Sequence, residues 1–158
     1  MKILIAYFSY TGHTKGIAEK MKEMTGGTLF EIAPAEAYSS DYDTTERQGR
    51  GETRDGYMPP LKAQVEDLES YDTILLGTPN WFNTVAPPVL TFLNENDMSG
   101  KTIVPFCTNG GGGLGQIVSV IQRMGDGARV VEALNLYEDG GRDAESKISE
   151  WLNKNGIA

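Results

Sequence analysis

The chain has 158 residues, 39% of them hydrophobic, which is the length of one ordinary domain that can bury a full core without disulfides. Its 22 acidic residues outnumber its 14 basic ones, and the net charge of -8 excludes nucleic acid and anionic lipid as favoured partners because both would repel it. With one cysteine there is no internal disulfide, so a cytoplasmic protein is expected. The apolar run 1–6 is too short for a signal peptide, and no run approaches the roughly 20 apolar residues of a membrane span.

Short apolar runs predict the strands. Four runs are apolar at nearly every position, which is typical of strands buried on both faces: Ile3 to Phe8, Leu29 to Ile32, Thr73 to Leu76, and Ile103 to Cys107. A fifth run, Arg129 to Leu136, alternates in part and is predicted as an edge strand.

Five stretches with helical spacing of apolar residues lie between or after these runs. They are Ile17, Met21 and Met24; Leu61, Val65 and Leu68; Val89, Phe92 and Leu93; Ile117, Ile121 and Met124; and Ala144, Ile148, Trp151 and Leu152. Strands alternating with helices predict right-handed crossovers and a parallel sheet. The predicted fold class is an α/β three-layer doubly wound sandwich, in a single domain over residues 1–158.

The segment 34–60 does not fit this alternation. It has many acidic and small polar residues but no clean helical or strand period, so it is predicted as a long loop. Loops of this length in compact domains are uncommon and often functional. Two interpretations stay open, namely a surface loop that shapes a site and a passive connection.

The turn after the first predicted strand has the composition of a phosphate-binding site. Hydroxyls, a glycine and a helix N-terminus suit a phosphate dianion, because unpaired N–H groups and the helix dipole favour negative charge there. The alternative is that a hydroxyl simply caps the helix. The turn consists of Ser9, Tyr10, Thr11, Gly12, His13 and Thr14.

The pattern Tyr7-x-Ser9-x-x-Gly12-x-Thr14-x-x-x-Ala18 resembles the FMN phosphate signature of the flavodoxin family, which also follows the first strand. The resemblance extends over nearly the whole chain in length and element order. It implies a five-stranded parallel sheet of order 2-1-3-4-5, with FMN as the cofactor at the carboxyl ends of the strands.

The turn after the third predicted strand is similar to the flavin-stacking loop of that family. Two adjacent aromatic rings there would offer a surface for the isoalloxazine ring. The resemblance implies that Trp81 packs on the flavin, and the other aromatic residue is expected in the core or at a subunit interface. The turn consists of Thr78, Pro79, Asn80, Trp81, Phe82 and Asn83.

The turn after the fourth predicted strand is rich in glycine, which permits close backbone approach to a flat ligand and leaves N–H groups for its polar edge. A flexible turn is the alternative. The turn also fits a dinucleotide fingerprint, which we reject because that motif is expected in the first βα unit. The predicted site residues are Thr108, Asn109, Gly110, Gly111, Gly112 and Gly113.

Two single residues have competing interpretations. His13 either adds charge beside the ligand or is an exposed residue at a helix start. Cys107 ends an apolar strand, so a buried and inert thiol is expected rather than a nucleophile. The acidic residues of 34–60 lack a metal-loop pattern, and no metal site is predicted.

A flavin performs redox chemistry itself, so no catalytic side chain is predicted. One hypothesis is an electron carrier whose negative surface docks on redox partner proteins with basic surfaces. The second is an NAD(P)H-dependent quinone or flavin reductase, in which 34–60 walls a pocket for a small quinone. Two-electron hydride transfer is expected to compete with single-electron transfer, because residues 78–84 lack the glycine found beside the flavin in many flavodoxins. A third hypothesis is a non-redox binding module on the same fold.

Overall fold

The computed structural model describes residues 1–157 and has the predicted parallel sheet. Six strands occur in these residues: β1 (Ile3–Tyr7), β2 (Thr28–Glu31), β3 (Thr73–Pro79), β4 (Thr102–Asn109), β5 (Arg129–Val130) and β6 (Leu134–Tyr137). All neighbouring pairs are parallel, in the order β2-β1-β3-β4-β5, and β6 also pairs with β4. The predicted α/β class and the order 2-1-3-4-5 are confirmed.

The edge strand predicted over residues 129–136 is interrupted. Val130 pairs with Ile103, whereas Leu134 pairs with Phe106, so the edge chain contains one more residue than β4 between these pairs. An extra residue of this kind is a bulge that breaks regular pairing. β5 and β6 are therefore two sections of one edge position beside β4.

Five α-helices accompany the sheet within the described residues: α1 (His13–Thr25), α2 (Tyr42–Asp55), α3 (Pro87–Glu95), α4 (Ile117–Met124) and α5 (Ala144–Lys154). Apolar residues of α1 and α5 pack on one sheet face, and those of α3 and α4 pack on the other. Successive side chains along a strand point to opposite faces, which is why β1 is buried along its whole length. Each helix in residues 1–157 is too short or too polar to cross a bilayer.

The segment 34–60 is not a continuous loop, because it contains α2. Asp41 caps this helix by accepting a hydrogen bond from the N–H of Thr44 at 3.1 Å, and Gly56 ends it in a left-handed conformation. Its buried residues are Thr45 and Gly49. A helix that buries a threonine and a glycine has no apolar stripe, so hydrophobic spacing did not indicate it.

The helix predicted around Leu61, Val65 and Leu68 is wrong. Leu61 forms an antiparallel bridge with Pro34, and only Leu68–Ser70 makes a short 3-10 helix. The three apolar side chains still pack against the core. Their spacing is therefore satisfied by an irregular segment that crosses the surface after α2.

Candidate functional site

The three predicted loops meet at the carboxyl edge of the sheet. β1, β3 and β4 are neighbours and run parallel, so the turns that follow them lie side by side. They surround a cavity of about 510 Å³, a size typical of small-molecule sites. The predicted site residues that line it are Tyr10, Thr11, His13, Pro79, Asn80, Trp81, Phe82, Thr108, Asn109 and Gly110.

Four cavity residues were not indicated by the sequence: Tyr42, Thr45, Glu46 and Glu138. The first three belong to α2, whose existence the hydrophobic pattern did not reveal. Glu138 directly follows β6, and the rule that ligands bind beyond strand carboxyl ends would have found it.

The other predicted site residues support the loops instead of lining the cavity: Ser9, Gly12, Thr14, Thr78, Asn83, Gly111, Gly112 and Gly113. Thr14 and Thr108 are both buried, and their hydroxyl oxygens lie 2.8 Å apart in a hydrogen bond. This bond joins the first turn of α1 to the end of β4. The Thr78 hydroxyl similarly accepts the N–H of Ala86 at 3.1 Å, which fixes the chain that enters α3.

The N-terminus of α1 has no side-chain cap within the described residues. The Ser9 hydroxyl instead accepts the N–H of Gly12 at 3.1 Å, and Gly12 itself has φ 101, a conformation that favours glycine. The alternative in which Ser9 or Thr11 caps the helix is therefore not the one observed. The N–H groups of the first turn have no intrahelical acceptors, and such groups favour an anion.

The turn after β3 is a tight hairpin. Trp81 and Thr84 exchange two backbone hydrogen bonds, of 2.8 and 3.2 Å. Between them, Phe82 has φ 52 and Asn83 has φ 71, so both are left-handed, as in a type I′ turn. Asparagine tolerates this conformation, but a bulky phenylalanine is strained there. This turn places the Phe82 ring at the cavity.

Asn80 links the second loop to the third. Its side-chain N–H donates to the carbonyl of Gly113 at 2.7 Å, and its side-chain oxygen accepts the N–H of Asn83 at 2.8 Å. Its own backbone N–H donates to the carbonyl of Thr108 at 2.8 Å. The hairpin and the glycine loop are thus held as one unit.

The glycine loop is fixed by its first residue. The side-chain oxygen of Asn109 accepts the N–H groups of Gly111 at 2.9 Å and Gly113 at 3.1 Å. These two N–H groups are therefore used inside the loop, although the sequence suggested that they would face a ligand. A β-carbon at Gly115 would lie 2.6 Å from the carbonyl oxygen of Asn83, so this glycine is required where the two loops touch.

Trp81 lies at the centre of an aromatic cluster. Its ring is edge-on to those of Phe8 and Tyr10, at centroid distances of 5.7 and 5.8 Å, and lies 5.3 Å from the Tyr38 ring. Trp81 is 8% exposed and Phe82 is 38% exposed. Both rings reach the cavity, so which of them stacks on a ligand stays a prediction.

Helix α2 covers the hairpin through a glycine. A β-carbon at Gly49 would lie 2.6 Å from Nε1 of Trp81 and 3.0 Å from Cε2 of Phe82. The indole Nε1 is buried and has no hydrogen-bond acceptor in residues 1–157. Of the two interpretations of 34–60, the observed one is a segment that shapes the cavity.

Two protonation states are fixed by burial. Burial raises the pKa of Tyr38 well above its usual value, and so does Glu52, which accepts the Tyr38 hydroxyl at 2.7 Å. The phenol therefore stays neutral and holds α2 to the core. Burial also raises the pKa of the Cys107 thiol to about 11, as expected for an inert cysteine.

Known proteins share this fold and up to about a third of this sequence. A crystal structure from Bacteroides eggerthii, described as a flavoprotein, has a TM-score of 0.87 at 32% identity, over 99% of each chain. A Lactobacillus acidophilus flavoprotein, solved in complex with FMN, has a TM-score of 0.74 at 26% identity, over 95% of this chain and 97% of its own.

One curated relative is an enzyme. An NAD(P)H dehydrogenase (quinone) of Cupriavidus metallidurans is 29% identical over 102 residues, which are 60% of this chain and 46% of that protein. The match thus spans less than half of the relative. The model of the family described as Flavodoxin, in contrast, matches residues 2–155. Because that match covers nearly all of the chain and the sheet has the order the family implies, this chain belongs to the flavodoxin family.

Proposed function

We propose that this protein binds one FMN in the cavity at the carboxyl edge of the sheet and uses it for electron or hydride transfer. The observation that carries the proposal is the uncapped N-terminus of α1 beside a cavity whose lining includes the rings of Trp81 and Phe82. Membership of the flavodoxin family supports it, as does the FMN complex of the Lactobacillus acidophilus relative.

The phosphate end of FMN fits the first loop. The first-turn N–H groups of α1 lie next to Thr11 and His13, both of which line the cavity. These groups would bind the dianion without a salt bridge, since the helix N-terminus favours negative charge. The buried bond between Thr14 and Thr108 would keep this cradle in place against β4.

The ring end of FMN fits the other two loops. Trp81 and Phe82 supply apolar surface, while the backbone of Gly110, in the loop that Asn80 and Asn109 hold in place, supplies polar groups on the same wall. Planar ligands are bound in this way, by apolar faces with a few placed polar groups. When bound, the flavin would supply the redox chemistry; the chain's own residues bind it, orient it and exclude water.

The test is the absorption spectrum of the purified protein, which should show the bands of bound oxidised flavin. Phe82→Ala and Trp81→Ala should each weaken FMN binding by about tenfold or more, since aromatic contacts of this kind are worth about 1–3 kcal/mol. Inorganic phosphate should bind both variants as it binds the original protein. A colourless protein that ignores added FMN would instead favour the non-redox binding module.

A second function is an NAD(P)H-dependent quinone reductase, and the position of α2 favours it. Tyr42, Thr45 and Glu46 wall the cavity, so α2 would cover one side of the bound flavin and form one wall of a substrate pocket. In the reaction, NAD(P)H loses a hydride and becomes NAD(P)⁺, while the quinone takes up that hydride and one proton from solvent and becomes a quinol. The quinone dehydrogenase of Cupriavidus metallidurans supports this assignment.

Turnover distinguishes the reductase from the electron carrier. The FMN-loaded protein, mixed with NADPH and a small soluble quinone, should oxidise NADPH continuously. A carrier would show negligible turnover and would instead pass electrons to partner proteins with basic surfaces, which a chain of net charge -8 attracts. A cytoplasmic location, where NAD(P)H is available, belongs to this proposal.

A further inference from the structure

The outer face of α2 is a row of arginines. Arg47, Arg50 and Arg54 are spaced three and four residues apart and are exposed, so they lie on one side of the helix. Thr45 and Gly49, which are buried, lie on the other side, where Gly49 faces the rings of Trp81 and Phe82. The helix that walls the cavity therefore presents guanidinium groups to solvent beside it.

The arginine row forms a groove that adjoins the cavity. The groove has a volume of about 500 Å³, and Glu46 lines both it and the cavity. The guanidinium carbon of Arg50 lies 5.7 Å from the centroid of the Phe82 ring, which also lines the cavity. The other residues that line the groove are Asp43, Arg47, Gly51 and Arg54. We call this surface the arginine groove.

The arginines of the groove are available for a stronger anion. Arg50 contacts Glu46 at 2.7 Å and Arg54 contacts Asp55 at 3.2 Å, and the arginine side chains in these pairs are 67% and 76% exposed. Exposed ion pairs add little to stability. Arg47 makes no ion pair within residues 1–157. A phosphate group accepts two parallel hydrogen bonds from a guanidinium, so it can displace these carboxylates.

We propose that the arginine groove binds the phosphate groups of a nicotinamide dinucleotide, so that its nicotinamide ring enters the cavity. NADPH, whose extra phosphate adds negative charge, binds more tightly than NADH. The inference rests on the proposed reductase function and gives that reductase its electron donor. A small ligand is favoured over an acidic protein, because the groove shares the lining residue Glu46 with a cavity of small-molecule size.

The test uses the FMN-loaded full-length protein and calorimetric titration with NADP⁺, which binds without reaction. Arg47→Ala, Arg50→Ala and Arg54→Ala should each weaken NADP⁺ binding about tenfold, the loss expected for one charged phosphate contact. Arg129→Ala is the matched control. This exposed arginine pairs with Thr102 at the start of β4, so it lies at the end of the strands that is opposite to the cavity. FMN affinity should stay within about twofold in all four variants.

The outcomes separate the groove from the reductase. Unchanged NADP⁺ affinity in the three groove variants would overturn the proposal that the arginine groove binds the dinucleotide, even if NADPH still reduces the flavin. A failure of NADP⁺ to bind the original protein overturns it as well. If NADP⁺ binding depends on the arginines but no quinone is reduced, the proposed binding site is retained and the proposed reductase function is rejected. Binding that weakens as salt is added, and more for NADP⁺ than for NAD⁺, supports a phosphate contact.

Discussion

Gly49 is the point at which α2 comes closest to the cavity wall. The nearest atoms to a β-carbon there belong to Trp81 and Phe82, two rings that form part of the aromatic cluster. A glycine in a helix normally reduces stability, so its presence at this position is explained by the need for contact. Gly51, one half-turn further on, faces open space apart from Arg54 at 3.8 Å.

These two glycines should respond to alanine in opposite ways. Gly51→Ala should stabilise the protein by about 0.5–1 kcal/mol through helix propensity. Gly49→Ala gains the same stabilisation from helix propensity, but it places a β-carbon 2.6 Å from Nε1 of Trp81. Such overpacking costs about 1–3 kcal/mol. Thermal unfolding should therefore show a higher Tm for the first variant and a lower Tm for the second. Equal shifts would mean that α2 does not rest on the hairpin.

Strain at Phe82 separates stability from binding. Phe82→Asn places a residue suited to a left-handed turn where φ is 52 and should stabilise the free protein by about 1 kcal/mol. It also removes a ring from the cavity, so FMN affinity should fall. Asn83→Gly is the control, since it relaxes the same turn and keeps the ring. Denaturant unfolding and FMN titration of both variants check this, and full FMN affinity in the Phe82→Asn variant would contradict the role of the ring.

At the scale of elements, the N-terminus of α1 has two roles that one substitution can separate. Thr11→Asp places a carboxylate just before the uncapped first turn. In the absence of ligand it should stabilise α1 by about 0.3–1 kcal/mol through the helix dipole. In the presence of FMN it should repel the phosphate and weaken binding by about a hundredfold, since like charges close together cost several kcal/mol.

Riboflavin is the internal control for this substitution, because it has the same ring and lacks the phosphate. Its affinity, measured by quenching of flavin fluorescence, should be the same for the original chain and for Thr11→Asp. An equal loss for both ligands would show that the first loop does not hold the phosphate.

Acid should loosen α2 before it unfolds the sheet. Hydrogen bonds from the hydroxyl and the N–H of Thr44 lower the pKa of the capping Asp41 below its ordinary value of 3.8. A lowered pKa in the folded state means that the cap stabilises the helix above pH 3.8 and is lost as the pH falls through the folded value. Tryptophan fluorescence in a Trp151→Phe background should report a change near Trp81 below about pH 4. Asp41→Asn, which caps without titrating, should flatten it.

The elements show where reasoning from sequence succeeds. Buried strands and the helices α1, α3, α4 and α5 have apolar residues at a regular period, because each packs a face against a large core. Helix α2 packs through Thr45 and Gly49, so its signals were the Asp41 cap, the Gly56 end and the pair Glu46–Arg50. These local signals indicate helix ends and surface pairing but are invisible to hydrophobic spacing.

The site was predictable to the extent that parallel strands bring their ends together. The three loops followed from that rule, whereas the α2 wall depended on an element without an apolar period. Asn80 and Asn109 were predicted as ligand groups, yet their amides are occupied in joining loops. Composition alone does not reveal which side chains will form hydrogen bonds with backbone groups inside the loops.

For the whole molecule, Cys107 offers a measure of global unfolding. Its thiol is buried in β4, an inner strand of the sheet, and burial raises its pKa to about 11 from 9.0. At neutral pH such a thiol has about a hundredfold less thiolate than an exposed one. Alkylation by iodoacetamide should thus be at least about a hundredfold slower in the folded protein than in denaturant, with or without FMN. Rapid alkylation of the native protein would show that β4 opens locally.

The shallow attachment of α2 has a further consequence for how long a cofactor stays bound. Only Thr45 and Gly49 of this helix are buried, so its detachment exposes far less apolar surface than opening of the sheet, and its amides should exchange with solvent by local opening. The cofactor would then enter and leave the cavity whenever α2 detaches. The residence time of the bound cofactor would accordingly follow the hydrogen-exchange rate of the fourteen residues of α2. It would be largely independent of the melting temperature of the rest of the protein.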